Sequence, residues 1–261
     1  MYTPQEYTIH YIREMRSTAS NGMGLLVVSF PSQYQSQHEE ALIAYHAARA
    51  MSGDITVRSS DTDVLVILLP IAARHPHRIL LDYGSGNNLR FINVSEIAHV
   101  LEDKEAGTTK AVVGFHALKV CDYTSAFYQN GKQKPFEIMT NGHVEALQSL
   151  WDDQMDVVGL EKFVCHMYGN KSAKCVDEAR ADASFKMVGA GKFPEQVRKI
   201  NCASLSPCKR DLLQHLHKAQ YVSLMWNSSS KANPTAGMDP TNYGCEVDAT
   251  GNYTFQWTCT A

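Results

Sequence analysis

The sequence predicts a layered α/β fold leading into a helical region, and three observations carry that expectation. Strand-like and helix-like segments alternate through the first half of the chain. A continuous apolar run, VLVILLP at 64–70, has the pattern of a strand buried on both faces of a parallel sheet. After Pro135 the periodicity becomes helical. With 44% hydrophobic and 20% charged residues among 261, a sizeable core is available and a disordered chain is excluded.

Taken in order, LLVVSF at 25–30 reads as a buried strand closed by Pro31. HEEALIAYHAARAM at 38–51 reads as a helix. Leu42, Tyr45, Ala48 and Arg49 fall at helical spacing, Glu39 and Glu40 lie in the first turn, and Gly53 ends it. DITVRS at 54–59 returns as a strand, SSDTD forms a turn, and VLVILLP follows as the next strand. Segments 78–82 and 89–92 flank GSGNN, a hairpin signal, after which Ser95 is expected to cap a short helix to Leu101. TKAVVGFHALKV at 109–120 reads as a mostly buried helix that delivers Cys121 and Asp122 at its end. Helices are expected over 142–151, 159–168, 173–187 and 208–227, and the Pro-, Gly-, Asn- and Thr-rich remainder as irregular chain. The organisation expected is an α/β core over 1–135, a helical annex over 136–228 and a tail over 229–261.

The 24 basic and 27 acidic side chains give a formal charge of −3, which excludes a binder that holds nucleic acid by bulk charge alone. The seven cysteines form no CxxC pair, and the first residues are polar and mixed. The longest apolar run is too short to span a bilayer, so a reducing intracellular setting is expected, with nucleus and cytoplasm both open and no membrane partner.

Four carboxylates stand out. Asp61 and Asp63 follow a strand expected to be parallel and central, where open α/β sheets place their functional crevice. Glu40 starts the helix that feeds that strand, and Asp122 ends another helix beside the loop YQNGKQK. Carboxylates gathered at one sheet edge repel one another unless divalent cations neutralise them, as in sites that hydrolyse phosphodiesters. The plainer alternative is that the Asp pair makes a turn, the Glu pair complements a helix dipole and Asp122 ends a helix.

The HEEA helix start, SSDTDVLVIL and GFHALKVCDYTSAFYQNGK, in this order, resemble the PIN-like flap endonuclease superfamily. The chain is similar, over most of its length, to a group of mobile-element-associated proteins from animal genomes. Those proteins carry HEEAD, DTDV and GFHAL-GCD-TSAF segments; here LEKFVCHMYG, PCKRDLLQH and the tail YGCEVDATGNYTFQWT extend the match. The superfamily resemblance itself covers about residues 25–135.

This resemblance implies a three-layer parallel-sheet core and a nuclease that cuts DNA or RNA with two Mg²⁺ or Mn²⁺ ions. Glu40, Asp61, Asp63 and Asp122 would be the catalytic metal-binding carboxylates, with Glu39 behind them. Gly131, Lys132 and Lys134 would touch phosphate, since glycine admits close backbone approach and lysine supplies charge. Three departures accompany it. Leu42 stands where relatives carry an acid, no Asp precedes Asp54, and VCDY and QNGK replace GCDT and GKGK. They imply a core incomplete at its N-terminal side, completed by a further segment or a partner. The alternative they leave open is an inactive remnant that binds protein or nucleic acid.

Other residues read as structural. His38 is expected beside a helix cap and His116 in the core. Cys202, Cys208, His215 and His217 lack zinc-site spacing, because the two histidines lie two residues apart on a helix and point about 200° apart. Cys121 is expected to pack as a small hydrophobe. Lys209, Arg210 and Lys218 are expected on the open face of the last helix.

Overall fold

The computed structural model describes residues 47–49, 53–84, 90–119, 121, 124–127, 130–188, 202–231 and 236–255. The fold is mixed α/β, and the chain divides into two compact units. One comprises Met1–Thr109 with Met225–Thr235, the other Lys110–Leu224 with Ala236–Ala261. Among the described residues no helix is long and apolar enough to cross a membrane.

The first unit is built on a three-stranded sheet in the order β1 (Ile55–Ser59), β2 (Ile79–Tyr83), β3 (Arg90–Asn93). β1 and β2 run parallel, with Ile55 opposite Ile79 and Ser59 opposite Tyr83; β3 returns antiparallel as the expected hairpin. Ile55, Val57, Ile79 and Leu81 are at most 1% exposed. Burying each such side chain stabilises by about 1.5–3 kcal/mol.

Parallel neighbours need a crossover that leaves the sheet, and a helix fills it: α1 (Thr62–Ala72). VLVILLP is therefore helical, which corrects the expected strand. The run is apolar throughout because α1 is buried along Val64, Val66, Ile67, Leu68, Leu69 and Pro70. A second correction concerns the cap of α2 (Val94–Lys104). Asn93 holds that position, its side chain accepting from the Glu96 N–H, while the Ser95 hydroxyl accepts from Ile79 N–H at 2.9 Å. The expected strand at 25–30 lies outside the described residues. So does most of the helix expected at 38–51, of which Ala47 and Ala48 are helical; Gly53 has φ 75°.

Helix α3 (Thr108–Lys119) starts on the carboxylate of Glu102, which accepts from Gly107 N–H, Thr109 N–H and the Thr109 hydroxyl. It runs into the second unit, where α4 (Gln133–Thr140), α5 (Val144–Gln148), α6 (Val157–Met167), α7 (Val176–Val188) and α8 (Lys209–Asn227) follow. α4 occupies sequence expected to be loop up to Lys134. Phe115 meets Phe136 and Phe163 edge-on at 5.9 and 6.3 Å between ring centres. Glu161, 4% exposed, joins three helices: its carboxylate accepts from Val176 N–H at 3.0 Å and from the Lys209 ammonium at 3.1 Å. Lys209 is thus an ion-pair partner rather than a purely solvated cation. The tail also departs from expectation, because β4 (Cys245–Val247) and β5 (Tyr253–Phe255) form an antiparallel hairpin. Its turn is organised by Asp248, whose carboxylate accepts from Thr250 and Asn252 N–H. Strands of three residues are too short for an alternation signal to register. None of the six described cysteines forms a disulfide with another.

Close helix approach in the second unit depends on Gly114. A Cβ there would lie 2.1 Å from the Leu147 carbonyl oxygen and 3.3 Å from Leu150 Cβ. Gly114→Ala is expected to destabilise by about 1–3 kcal/mol, read from the urea midpoint. Acid sensitivity follows from His143, whose Nε2 lies 2.8 Å from His166 Nδ1. Burial, then His166 and Lys162, push its pKa down to about 4 from the usual 6.5. Between those values the unfolded chain binds a proton that the folded chain refuses, so stability falls as pH falls. The melting temperature is expected to drop more steeply from pH 6.5 to 4 in the wild type than in His143→Leu.

Candidate functional site

At the carboxyl ends of β1 and β2 the chain places a compact polar group. Ser59 ends β1, and its hydroxyl accepts from Asp61 N–H at 3.0 Å. Asp61 is exposed and is the N-cap of α1, its Oδ1 accepting from Asp63 N–H at 2.9 Å. Asp63, in the first turn of the same helix, is 9% exposed. The alternation of a cap and a first-turn acid is what a strand-to-helix turn favours.

Across the sheet, Arg58 stands opposite Asp82 in the parallel register. The guanidinium donates to Asp82 Oδ2 through Nε at 2.8 Å and a terminal nitrogen at 2.7 Å. Asp82 is 4% exposed, and its Oδ1 is buried without a hydrogen-bond partner among the described residues. The sequence alone does not single out this pair. The available signal was an Arg and an Asp each one position before the end of two adjacent strands, which a parallel register brings side by side.

A second polar group lies in the second unit, at the end of α3. Cys121 Sγ and the Thr124 hydroxyl both donate to the Ala117 carbonyl, and His215 Nε2 lies 2.6 Å from the Leu118 carbonyl. Lys119 is 5% exposed and donates through Nζ to the Asn130 carbonyl. Burial, and then Lys132, push its pKa below the usual lysine range. Gly131, Lys132 and Lys134 are exposed at the start of α4, whose N-terminus has no side-chain cap and no acid in its first turn. Lys119, inside the apolar string of α3, is a residue the sequence pattern does not flag.

Of the residues singled out from sequence, the structure thus places Asp61 and Asp63 together on one turn of the first unit. It places Gly131, Lys132 and Lys134 together in the second. Glu39, Glu40 and Asp122, and with them His38, lie outside the described residues. Among the described residues no group of three or more His, Cys, Asp or Glu side chains is arranged to hold a metal ion. Carboxylate oxygens, such as those of Asp61 and Asp63, are hard donors that suit Mg²⁺ or Mn²⁺ better than zinc. His116 and Cys121 are buried, at 6% and 5% exposure.

Removing the arginine isolates the buried carboxylate of Asp82. Arg58→Ala is expected to destabilise by about 1–3 kcal/mol, and adding Asp82→Asn should return part of the loss in a urea-denaturation double-mutant cycle. No family model, no curated protein and no solved structure matches the chain.

Proposed function

We propose that the chain carries a PIN-like, flap-endonuclease-type core that hydrolyses DNA or RNA phosphodiesters in a metal-dependent way. The observation that supports this reading most is the position of the Asp61-Thr62-Asp63 turn. It follows directly on the carboxyl end of a buried strand in a parallel pair, where ligand crevices of open α/β sheets lie. Asp61 and Asp63 would share Mg²⁺ or Mn²⁺ with Glu40 and Asp122, and Glu39 would sit behind them. Bound cations of this kind supply an activated water and neutralise charge on the leaving oxygen. Gly131, Lys132 and Lys134 would hold the phosphodiester backbone, whose negative charge they complement. The free thiols fit a reducing, intracellular setting, nuclear or cytoplasmic.

One observation favours the second reading, a remnant that binds protein or nucleic acid without cleavage. Asp61 already has a structural task as the cap of α1. The two readings separate cleanly, because asparagine caps helices as well as aspartate does. Asp61→Asn is expected to melt at the wild-type temperature while Mg²⁺-dependent cleavage of a flap-bearing duplex falls to background, and Asp63→Asn should also lose cleavage. Mn²⁺ at about 100 times its dissociation constant should stabilise the wild type by about 2.7 kcal/mol and the Asp61 variant far less. A wild type that neither cleaves nor responds to Mn²⁺ would leave the remnant reading standing.

A further inference from the structure

We infer that Lys119 and Tyr168 are positioning residues for nucleic-acid binding, acting by clamping Asn130 from two sides so that Gly131 and Lys132 are presented in one geometry. The inference rests on the proposal that Gly131, Lys132 and Lys134 contact the phosphodiester backbone.

Lys119 occupies an unfavourable place for a charge. A lysine ammonium is strongly hydrated, and withdrawing it from water is costly unless it is paired. Lys119 is 5% exposed, yet no carboxylate among the described residues pairs with it. Burial and the nearby Lys132 ammonium both disfavour its charge. A methionine in its place would avoid that penalty, so packing of α3 does not account for a lysine. What the ammonium does is donate to the main-chain carbonyl of Asn130, eleven positions along the chain.

Asn130 is held at two further points. Its N–H donates to the Phe127 carbonyl at 3.3 Å. Its side chain hydrogen-bonds to the Tyr168 hydroxyl. Phe127, the base of that turn, is itself wedged edge-on between Tyr168 and His215, with ring centres 6.5 and 4.8 Å away. The residue directly before the exposed Gly131-Lys132 pair is therefore fixed through both main chain and side chain, whereas beyond it the surface is open. A Cβ at Gly131 would meet nothing within 4 Å. Such a division, a rigid support under an exposed glycine and lysine, aims a charge at a ligand with little ordering left to be done on binding. The cation of Lys119 also adds to the positive potential under the loop, which a polyanion relieves.

The test is binding of a fluorescein-labelled DNA duplex bearing a single-stranded 5′ flap, in EDTA at low salt, to the full chain. Lys119→Met is expected to weaken binding about 5- to 10-fold, and Tyr168→Phe, which removes only the hydroxyl, about 2- to 5-fold. In a Lys132→Met background, both losses should shrink below about 2-fold, because a positioning residue acts through the group it positions. Lys132→Met alone should lower the dependence of log affinity on log salt by about one phosphate contact. If Lys119→Met does not fold, as judged by its melting curve, Tyr168→Phe carries the test by itself. Wild-type affinity in the foldable variants, or losses that add fully to that of Lys132→Met, overturns the positioning role and leaves phosphate contact by Lys132 intact. A wild type that does not bind the duplex overturns that contact and the inference together.

Discussion

The parallel pairing of β1 with β2 is the constraint from which the first unit follows. Two strands that run the same way cannot be joined by a tight turn, so the 19 residues from Ser60 to Arg78 must leave the sheet and return. That requirement makes α1 a buried helix, and it places the turn into α1 at the carboxyl end of β1. The same register brings Arg58 beside Asp82, so the end of the sheet from which Asp61 departs is closed by an ion pair. Position and chemistry of the candidate site are thus consequences of one pairing rather than separate features.

Much of this was legible in the residues. The hairpin of β2 and β3 and the four helices beyond residue 142 follow from turn chemistry and from helical periodicity. VLVILLP was not legible, for a physical reason. A fully buried helix and a fully buried strand both present an unbroken apolar run, and Pro70, which lies inside α1, argues locally against a helix. Topology decides between them, and topology is visible only once DITVRS and ILLDY are known to be parallel. Asn93 prevailed over Ser95 as a cap because the Ser95 hydroxyl was needed by Ile79 N–H, a tertiary demand that local capping preference does not contain. In the site, the Asp61-Asp63 turn was legible through its motif. Lys119, Arg58 and Asp82 were not, since their roles depend on partners 11 and 24 residues away.

The buried charges of the two units share a logic. Glu161, Lys119 and Asp82 are each at most 5% exposed, and each holds a segment that apolar packing alone would leave loose. Glu161 accepts from the first N–H of α7, Lys119 donates to the turn before α4, and Asp82 fixes the end of β1 through Arg58. Burying a charge is unfavourable, and what it provides is direction: a hydrogen bond to a main-chain group has one geometry, whereas an apolar contact tolerates sliding. Glu161 has a cation and Asp82 has a cation, while Lys119 has only dipoles among the described residues. That asymmetry is why the end of α3 stands apart from the other two.

Asp61 combines its role as a cap with a proposed role in binding cations. Capping uses one oxygen, Oδ1, and leaves Oδ2 without a partner among the described residues, on an exposed side chain. The two tasks are therefore compatible in geometry. They compete in electrostatics, because the amino end of α1 carries partial positive charge that stabilises Asp61 and repels a cation held beside it. A single capping aspartate would be a weak cation ligand for that reason. Asp63 adds a second carboxylate in the same first turn, but two carboxylates supply fewer oxygens than the roughly six a divalent ion takes. Cation binding at this turn thus depends on further carboxylates beside Asp61 and Asp63.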